Sequence, residues 1–323
     1  MRVVEVSEFG PSGVLVTRDA PDPVAGPGEV VVDVAAADVL WVHTMIRSGN
    51  AGSYFDVAPP YVPGDAVAGR VRTVGAGVDE SWVGRSVVAR TSGGGGYAER
   101  AVVSADGLLV IPDGVSFTNA ASLLADGNTA MALLDLTGVK AGDAVLVVGS
   151  SGGLGILLIQ LATSRGARVV AVARDEAKLA RIRLLGAAAV IDSEQPDWVA
   201  QARAALGGAG AEVILDNVGG AIGEAAFELI APGGHVSAHG TPSGRFAEID
   251  AAEVQRRGVT LTGIRDVQLT PADRTRFTAE ALAETAAGRL VPIIGQTFPL
   301  ERAAEAHAAI EARTVFGKTL LVI

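Results

Sequence analysis

The stretch Ala144-Val-Leu-Val-Val-Gly149-Ser-Ser-Gly152-Gly153-Leu154-Gly155-Ile-Leu-Leu-Ile-Gln160 decides the fold. A continuous apolar run of strand length ends in a glycine turn, and the turn opens an apolar helix. A strand without polar alternation is buried on both faces, the condition of a parallel sheet covered by helices. The glycines fall as Gly-x-x-Gly-x-x-Gly. Gly149 suits a tight turn, Gly152 lets backbone approach a pyrophosphate, and Gly155 allows close helix–strand packing. The helix start adds open N–H groups and the positive end of its dipole. Strand, turn and helix together predict a dinucleotide site.

Working outward, strand and helix keep alternating. Arg168-Ala173 is followed by Glu176-Leu185, Ala189-Ile191 by Trp198-Leu206, and Val213-Asp216 by Gly223-Leu229. His235-Ala238 and an edge strand Thr260-Gly263 complete the series. The pattern predicts an α/β fold with a doubly wound parallel sheet. Upstream, Asn119-Thr137 reads as a helix capped by Thr118. Before it, the valine-rich segments Glu29-Val34, Val67-Val74, Val87-Ala89 and Leu108-Ile111 lie between glycine and proline turns and predict a β-rich domain. The tail returns to that domain through helices around Phe277-Ala287 and Ala303-Ala312 and a closing strand Thr319-Ile323. The expected division is 1-122 with 264-323 for the β-rich domain, and 123-263 for the nucleotide-binding domain.

Composition agrees. The chain has 323 residues, 49% hydrophobic and 19% charged, more than one core usually serves. It carries 36 acidic against 26 basic residues, a net charge of -10, which repels phosphate backbones and anionic membranes. The absence of cysteine excludes disulfide frameworks, cysteine nucleophiles and thiolate zinc sites. The start of the chain lacks signal-peptide character, and the apolar run near Val30 is broken by Asp33 and Asp38. A cytoplasmic protein is expected. Two other glycine signals are not phosphate loops: Gly93-Gly96 lacks a following Lys-Ser/Thr, and Ala312 stands where a loop ending in Gly317-Lys318-Thr319 needs glycine.

The strand after the glycine loop bears on the cofactor. An NAD site usually ends it with an acid for the ribose hydroxyls, but here it ends Val172-Ala173-Arg174. Arg174 and Lys178 suit the additional phosphate of NADPH, one by its planar fork and the other as a point charge. Asp175, one residue late, is the feature that would still serve NAD. NADPH is the expected cofactor.

Further stations occur in order: Ile46-Arg-Ser-Gly49, Val62-Pro-Gly64 through Gly75, Gly96-Tyr-Ala-Glu99, Asp216-Asn-Val-Gly-Gly220, Pro232-Gly-Gly234, and Phe298-Pro-Leu through Ala306-His307 to Gly317-Lys318. With the glycine loop, this set resembles the medium-chain dehydrogenase/reductase superfamily, in its zinc-independent quinone oxidoreductase branch, over nearly the whole chain. The resemblance implies a GroES-like catalytic domain interrupted by a Rossmann domain, with the active site in the cleft. It also implies a homodimer formed along Thr260-Gly263. Expected cofactor contacts are Thr129, Gly149, Ser151, Gly152, Gly153 and Leu154 in the first half of the fold. Arg174, Lys178, Asn217, Val218, His239, Gly240 and Lys318 follow later in the chain. The zinc-ligand positions of metal-dependent relatives correspond to Leu40, Asp65 and Ala125, so no metal is expected.

The chain departs from that family where the chemistry belongs. Leu40-Trp41-Val42-His43 replaces the usual Asn-x-x-Asp, and Asn50-Pro60 is longer than usual. Three side chains are candidates for catalysis. Tyr54 is a phenol near where relatives place an active-site tyrosine, His43 an imidazole able to protonate an enolate, and Asp65 a cap for the turn after Gly64, a partner for His43, or itself a donor. His235 and His307 read as structural. The expected activity is hydride transfer from NADPH to a quinone or conjugated enone. An enoyl thioester reductase and a non-catalytic NADPH-binding regulatory protein remain the alternatives.

Overall fold

The computed structural model describes residues 1–52, 55–91, 93–267 and 269–323. It divides into two compact units, Met1–Ala125 with Arg274–Ile323, and Asp126–Asp273. The return to the first unit falls at Arg274 rather than at residue 264, and both divisions lie inside helices.

The first unit begins with an antiparallel pair, β1 (Arg2–Val6) and β2 (Leu15–Asp19). Next come β3 (Glu29–Val39), α1 (Trp41–Ser48), β4 (Ala66–Val74), β5 (Ser86–Arg90), β6 (Arg100–Ser104) and β7 (Leu109–Val110). β3 runs five residues beyond the predicted Val34 and bulges twice against β4, at Val31/Val32 and Val34/Ala36. α2 (Phe117–Leu136) starts before Asn119. Its opening N–H groups are served by Ser116, whose Oγ accepts from the Asn119 N–H, and not by Thr118.

The second unit then alternates as predicted: β8 (Ala144–Val148), α3 (Gly153–Ser164), β9 (Arg168–Ala173), α4 (Glu176–Arg183), β10 (Ala189–Asp192) and α5 (Trp198–Ala205). It continues with β11 (Ala211–Asp216), α6 (Gly220–Phe227), β12 (Ile230–Ala238), α7 (Ala251–Arg257) and β13 (Thr260–Gly263). All its strand pairs are parallel, in the order β10-β9-β8-β11-β12-β13. Every residue of β8 is buried, which is why its sequence shows no alternation. The chain winds one way from β8 and the other way from β11. Their carboxyl ends therefore frame the topological switch point, where open α/β sheets place ligands.

The chain closes the first unit with α8 (Pro271–Ala286), β14 (Ile294–Pro299), α9 (Ala303–Glu311) and β15 (Lys318–Val322). β15 pairs antiparallel with β3, so the last strand lies beside one of the first in the order β14-β15-β3-β4-β5-β7, with β6 also on β3. Among the described residues no helix is long and apolar enough to cross a membrane.

Lys318, expected at the cofactor, forms a buried ion pair within the first unit. Its Nζ lies 2.9 Å from Asp38 Oδ2, with the side chains 6% and 0% exposed. β15 against β3 brings them together, since Leu320 faces Asp38 in the ladder. A buried charge stripped of its partner is expensive. Lys318→Met should therefore destabilise the protein by about 3–5 kcal/mol, and Asp38→Leu in the same chain should restore most of that, read as the midpoint of chemical unfolding. Equal midpoints for Lys318→Met and the unmodified protein would contradict the pairing.

Candidate functional site

In the second unit the functional residues lie at the carboxyl ends of β8, β9, β11 and β12. The glycine loop is pinned to β9 by the Gly149 and Ser150 N–H groups, which donate to the Val172 carbonyl at 3.0 and 3.1 Å. Ser150 Oγ donates to the Val147 carbonyl and accepts from the Val172 N–H. The three glycines differ in what a side chain would meet. At Gly149, φ is +76° and a Cβ would lie 2.7 Å from Val218; at Gly155 it would lie 2.5 Å from the Gly149 carbonyl. At Gly152 it would meet nothing nearer than 4.0 Å, so this glycine leaves its face open. No side chain caps α3 at Gly152, and the first-turn N–H groups keep their capacity for an anion.

Asn217 ties three strand ends together. Its Nδ2 donates to the Val148 carbonyl at 2.7 Å, which leaves Oδ1 to accept from His239 Nε2 at 2.9 Å. His239 Nδ1 then carries the lone pair and accepts from Ser237 Oγ at 3.0 Å. Burial pushes His239 down to about 4, so the ring is neutral. Asp216 Oδ1 accepts from the Val218 and Gly219 N–H groups and shapes the turn that carries Asn217 and Val218. Gly240 packs so closely on Asn217 that a Cβ there would lie 1.9 Å from its carbonyl carbon.

At the end of β9, Asp175 has φ +75° and caps α4, accepting from the Ala177 and Lys178 N–H groups at 2.9 and 3.2 Å. The acid that could have served NAD is thus turned into its own helix. Burial and the charge of neighbouring Arg174 hold the Lys178 ammonium below its ordinary range. Two cations therefore stand together where β9 ends.

In the first unit, His43 sits in the first turn of α1 with both ring nitrogens engaged. The Leu40 N–H donates to Nδ1 at 3.2 Å, so the proton belongs on Nε2, which donates to Asp65 Oδ1 at 3.1 Å. Arg90 donates to Asp65 Oδ2 at 2.5 Å. They meet because Asp65 precedes β4 and Arg90 ends β5, with Ala66 opposite Arg90. Burial alone would raise Asp65, but the His43 hydrogen bond and the charge of Arg90 outweigh it and hold the carboxyl well below the usual range. Behind His43 the Tyr97 hydroxyl lies 3.3 Å from Nδ1 and 3.1 Å from His307 Nε2. Burial, with the charges of Asp38 and Asp65, keeps Tyr97 a neutral phenol. Gly64, at φ +87°, makes room for its ring, since a Cβ there would lie 2.5 Å from Tyr97 Cδ1.

Residues 26–113 match the family model of the alcohol dehydrogenase GroES-like domain, and residues 153–283 that of zinc-binding dehydrogenase. The quinone oxidoreductase of Sus scrofa is 30% identical over 100% of this chain and 98% of its own length. The chain belongs to the medium-chain dehydrogenase/reductase superfamily, in its quinone oxidoreductase-like branch. Among solved structures of this superfamily, an NAD-dependent alcohol dehydrogenase is similar at TM-score 0.91 and 32% identity, each chain covered 100%. A mycobacterial protein in complex with NADPH is similar at TM-score 0.90 and 31% identity, again with both chains covered 100%. As a member of this branch the protein is an oxidoreductase.

The zinc-binding name of one matched model invites a test of the donor set. Leu40 offers a backbone N–H to His43, Asp65 spends its oxygens on His43 and Arg90, and Ala125 is a buried methyl. A guanidinium against the only carboxylate of the three opposes a cation there. Among the described residues no group of three or more His, Cys, Asp or Glu side chains is placed to hold a metal.

The structure brings His43 and Asp65 together, and separately gathers Gly149, Asn217, Val218, His239 and Gly240 at the switch point. Thr129 lies within α2, and Tyr54 lies outside the described residues. Asp65 pairs with His43, one of its expected roles, and, held ionised, is no proton donor at neutral pH, the other role expected of it. Sequence reading missed Tyr97, Arg90 and the Asn217 latch. A tyrosine directly after a polyglycine turn was the available signal for Tyr97, and nothing local marked Arg90.

A buried histidine with a depressed pKa charges more readily once unfolded. Folded His239 titrates near 4 and the unfolded ring near 6.5, so its contribution is complete above about 6.5 and lost as pH falls toward 4. Burial gives His307 the same sign. The unfolding midpoint should fall steadily from pH 7 to 4.5, with His239 contributing up to about 3 kcal/mol, and His239→Gln should flatten the slope. A midpoint constant over that range would contradict the neutral, buried ring.

Proposed function

We propose that the protein is an NADPH-dependent reductase that delivers a hydride to a quinone or conjugated enone without zinc. The observation that carries this reading is Asp175 capping its own helix while Arg174 and Lys178 stand beside it. A ribose phosphate suits two cations, and Asp175 spends its Oδ1 on the start of its own helix. The open face at Gly152 and the uncapped start of α3 fit a pyrophosphate, and Asn217 and His239 fit as the neighbouring contacts. When bound, NADPH supplies the hydride from its nicotinamide ring.

The likeness to the Sus scrofa quinone oxidoreductase supports the acceptor class, and the mycobacterial complex supports the cofactor. Without a Lewis acid, an acceptor that spreads its own negative charge is the chemically suited one. Tyr54 is the side chain we assign to the oxygen that becomes anionic, because both ring nitrogens of His43 are already engaged. Asp65 orients His43 by holding its Nε2–H, and Arg90 keeps Asp65 ionised. We also propose a homodimer. β13 is the edge of the parallel sheet, with Leu261 39% exposed and Ile264 just beyond it 41% exposed, and such an edge suits pairing with its twin.

Purified protein, assayed with a chelator present, should oxidise NADPH with quinones or enones as acceptors and use NADH far less well. Arg174→Ala should abolish most of that cofactor preference. Activity that depends on added zinc, equal use of both cofactors, or no turnover with any acceptor would each count against the reading. Light scattering at micromolar concentration should give the mass of two chains, and a single-chain mass would exclude the dimer.

A further inference from the structure

The cluster around Asp65 satisfies most of its donors internally. His43 accepts from the Leu40 N–H at Nδ1 and donates to Asp65 from Nε2, and the Tyr97 hydroxyl is buried between His43 and His307. The Thr91 hydroxyl donates to the Gly64 carbonyl at 3.0 Å. Arg90 is the exception. Its Nη1 donates to Asp65 Oδ2 at 2.5 Å, whereas Nε is buried without a partner and, among the described residues, Nη2 donates to nothing. Nε and Nη2 form one edge of the planar fork, so a whole edge of donors is uncommitted. The side chain is 32% exposed, and part of the guanidinium therefore opens on solvent. The guanidinium is also held in place. Ala66 faces Arg90 across β4 and β5, and the Thr91 N–H donates to the Asp65 carbonyl at 3.1 Å, tying the end of β5 to the segment that carries Asp65. The ion pair then fixes the other edge of the fork.

A conjugated enone that accepts a hydride from the cofactor at its β carbon shifts the electrons of its double bond onto the carbonyl oxygen. A proton from water then completes the saturated ketone. The oxygen gains a full negative charge on the way, and fixed donors aimed at such an oxygen lower the barrier most. We propose that Arg90 is a catalytic residue that donates to this oxygen from its Nε and Nη2 edge. A guanidinium seated on Asp65 thus supplies the positive charge that the metal supplies in zinc-dependent enzymes. Guanidinium suits the role because it stays protonated at any working pH and presents its donors in a rigid plane. Asp65 is then the seat of Arg90 as well as the partner of His43. The inference rests on the reductase reading above and adds a charged donor to the one assigned there.

The test uses the full chain with NADPH and benzylideneacetone, a neutral enone. Arg90→Gln should lower kcat at least about tenfold while the Kd of NADPH stays within about twofold, as expected for a donor whose bond strengthens in the transition state. Asp65→Asn separates a direct role from one exerted through Asp65. In that background Arg90→Gln should still cost at least about fivefold in kcat. An unchanged kcat in Arg90→Gln, or a double variant no slower than Asp65→Asn alone, would overturn the proposal. Failure of the reductase reading looks different, since no acceptor would then turn over even in the unmodified protein. In that event 4-nitrophenol reads the arginine directly, because its phenolate resembles the anionic oxygen and its ionisation changes its absorbance. At the pH where the free probe is half ionised, the bound probe should hold at least about tenfold more phenolate than phenol. Arg90→Gln should return that ratio to about one. A probe that fails to bind, ionises no more readily when bound, or keeps its ratio in Arg90→Gln would overturn the proposal.

Discussion

The carboxamide of Asn217 is the crosspiece on which the second unit's surface of chemistry depends. One end holds the Val148 carbonyl and the other the His239 ring, so the tips of β8, β11 and β12 are joined by two hydrogen bonds from one side chain. Backbone contact tightens the same place, since Gly240 leaves no room for a Cβ against Asn217, and Gly155 none against the glycine loop. A loop held this way presents its N–H groups in a fixed direction. Little reorganisation then stands between the folded protein and an anion bound there.

The first unit relies on charge instead of close backbone contact. Asp38 with Lys318, Arg47 with Glu311, and Asp65 with Arg90 and His43 are all partly or wholly withdrawn from water. Such groups add little stability relative to apolar packing, but any wrong pairing would strand a charge. The first two pairs join the early chain to its end, linking β3 to β15 and α1 to α9. The polar chain from Asp65 through His43 and Tyr97 to His307 does the same, with Tyr97 and His307 210 residues apart. Residues that define the candidate catalytic surface therefore stay in place only when the C-terminal segment has returned.

Legibility followed the range of the interactions. The parallel sheet was readable because β8 must be apolar throughout to lie between helices, and the glycine spacing follows from contacts within a few residues. α1 was not read as a helix: Trp41, Val42, Thr44 and Ile46 are poor helix formers, and their helical conformation rests on packing against α9. α7 and β14 were likewise unread, being short and without strong periodicity. The cap of α2 was misplaced by two residues because Ser116 and Thr118 carry similar hydroxyls, and only geometry shows which one meets the Asn119 N–H.

By itself the sequence determined the two-part architecture, the glycine loop, the lack of thiolate ligands and the pair of cations after β9. Each of these follows from composition or from neighbours along the chain. The tertiary structure alone decided that Lys318 belongs to Asp38, that Asp175 serves its own helix, and that Asp65 is shared between His43 and Arg90. A charged side chain takes its role from the nearest opposite charge or hydrogen-bond donor. For Lys318 and Asp65 those partners lie on other strands and helices, and for Asp175 the backbone turn sets where the carboxylate points.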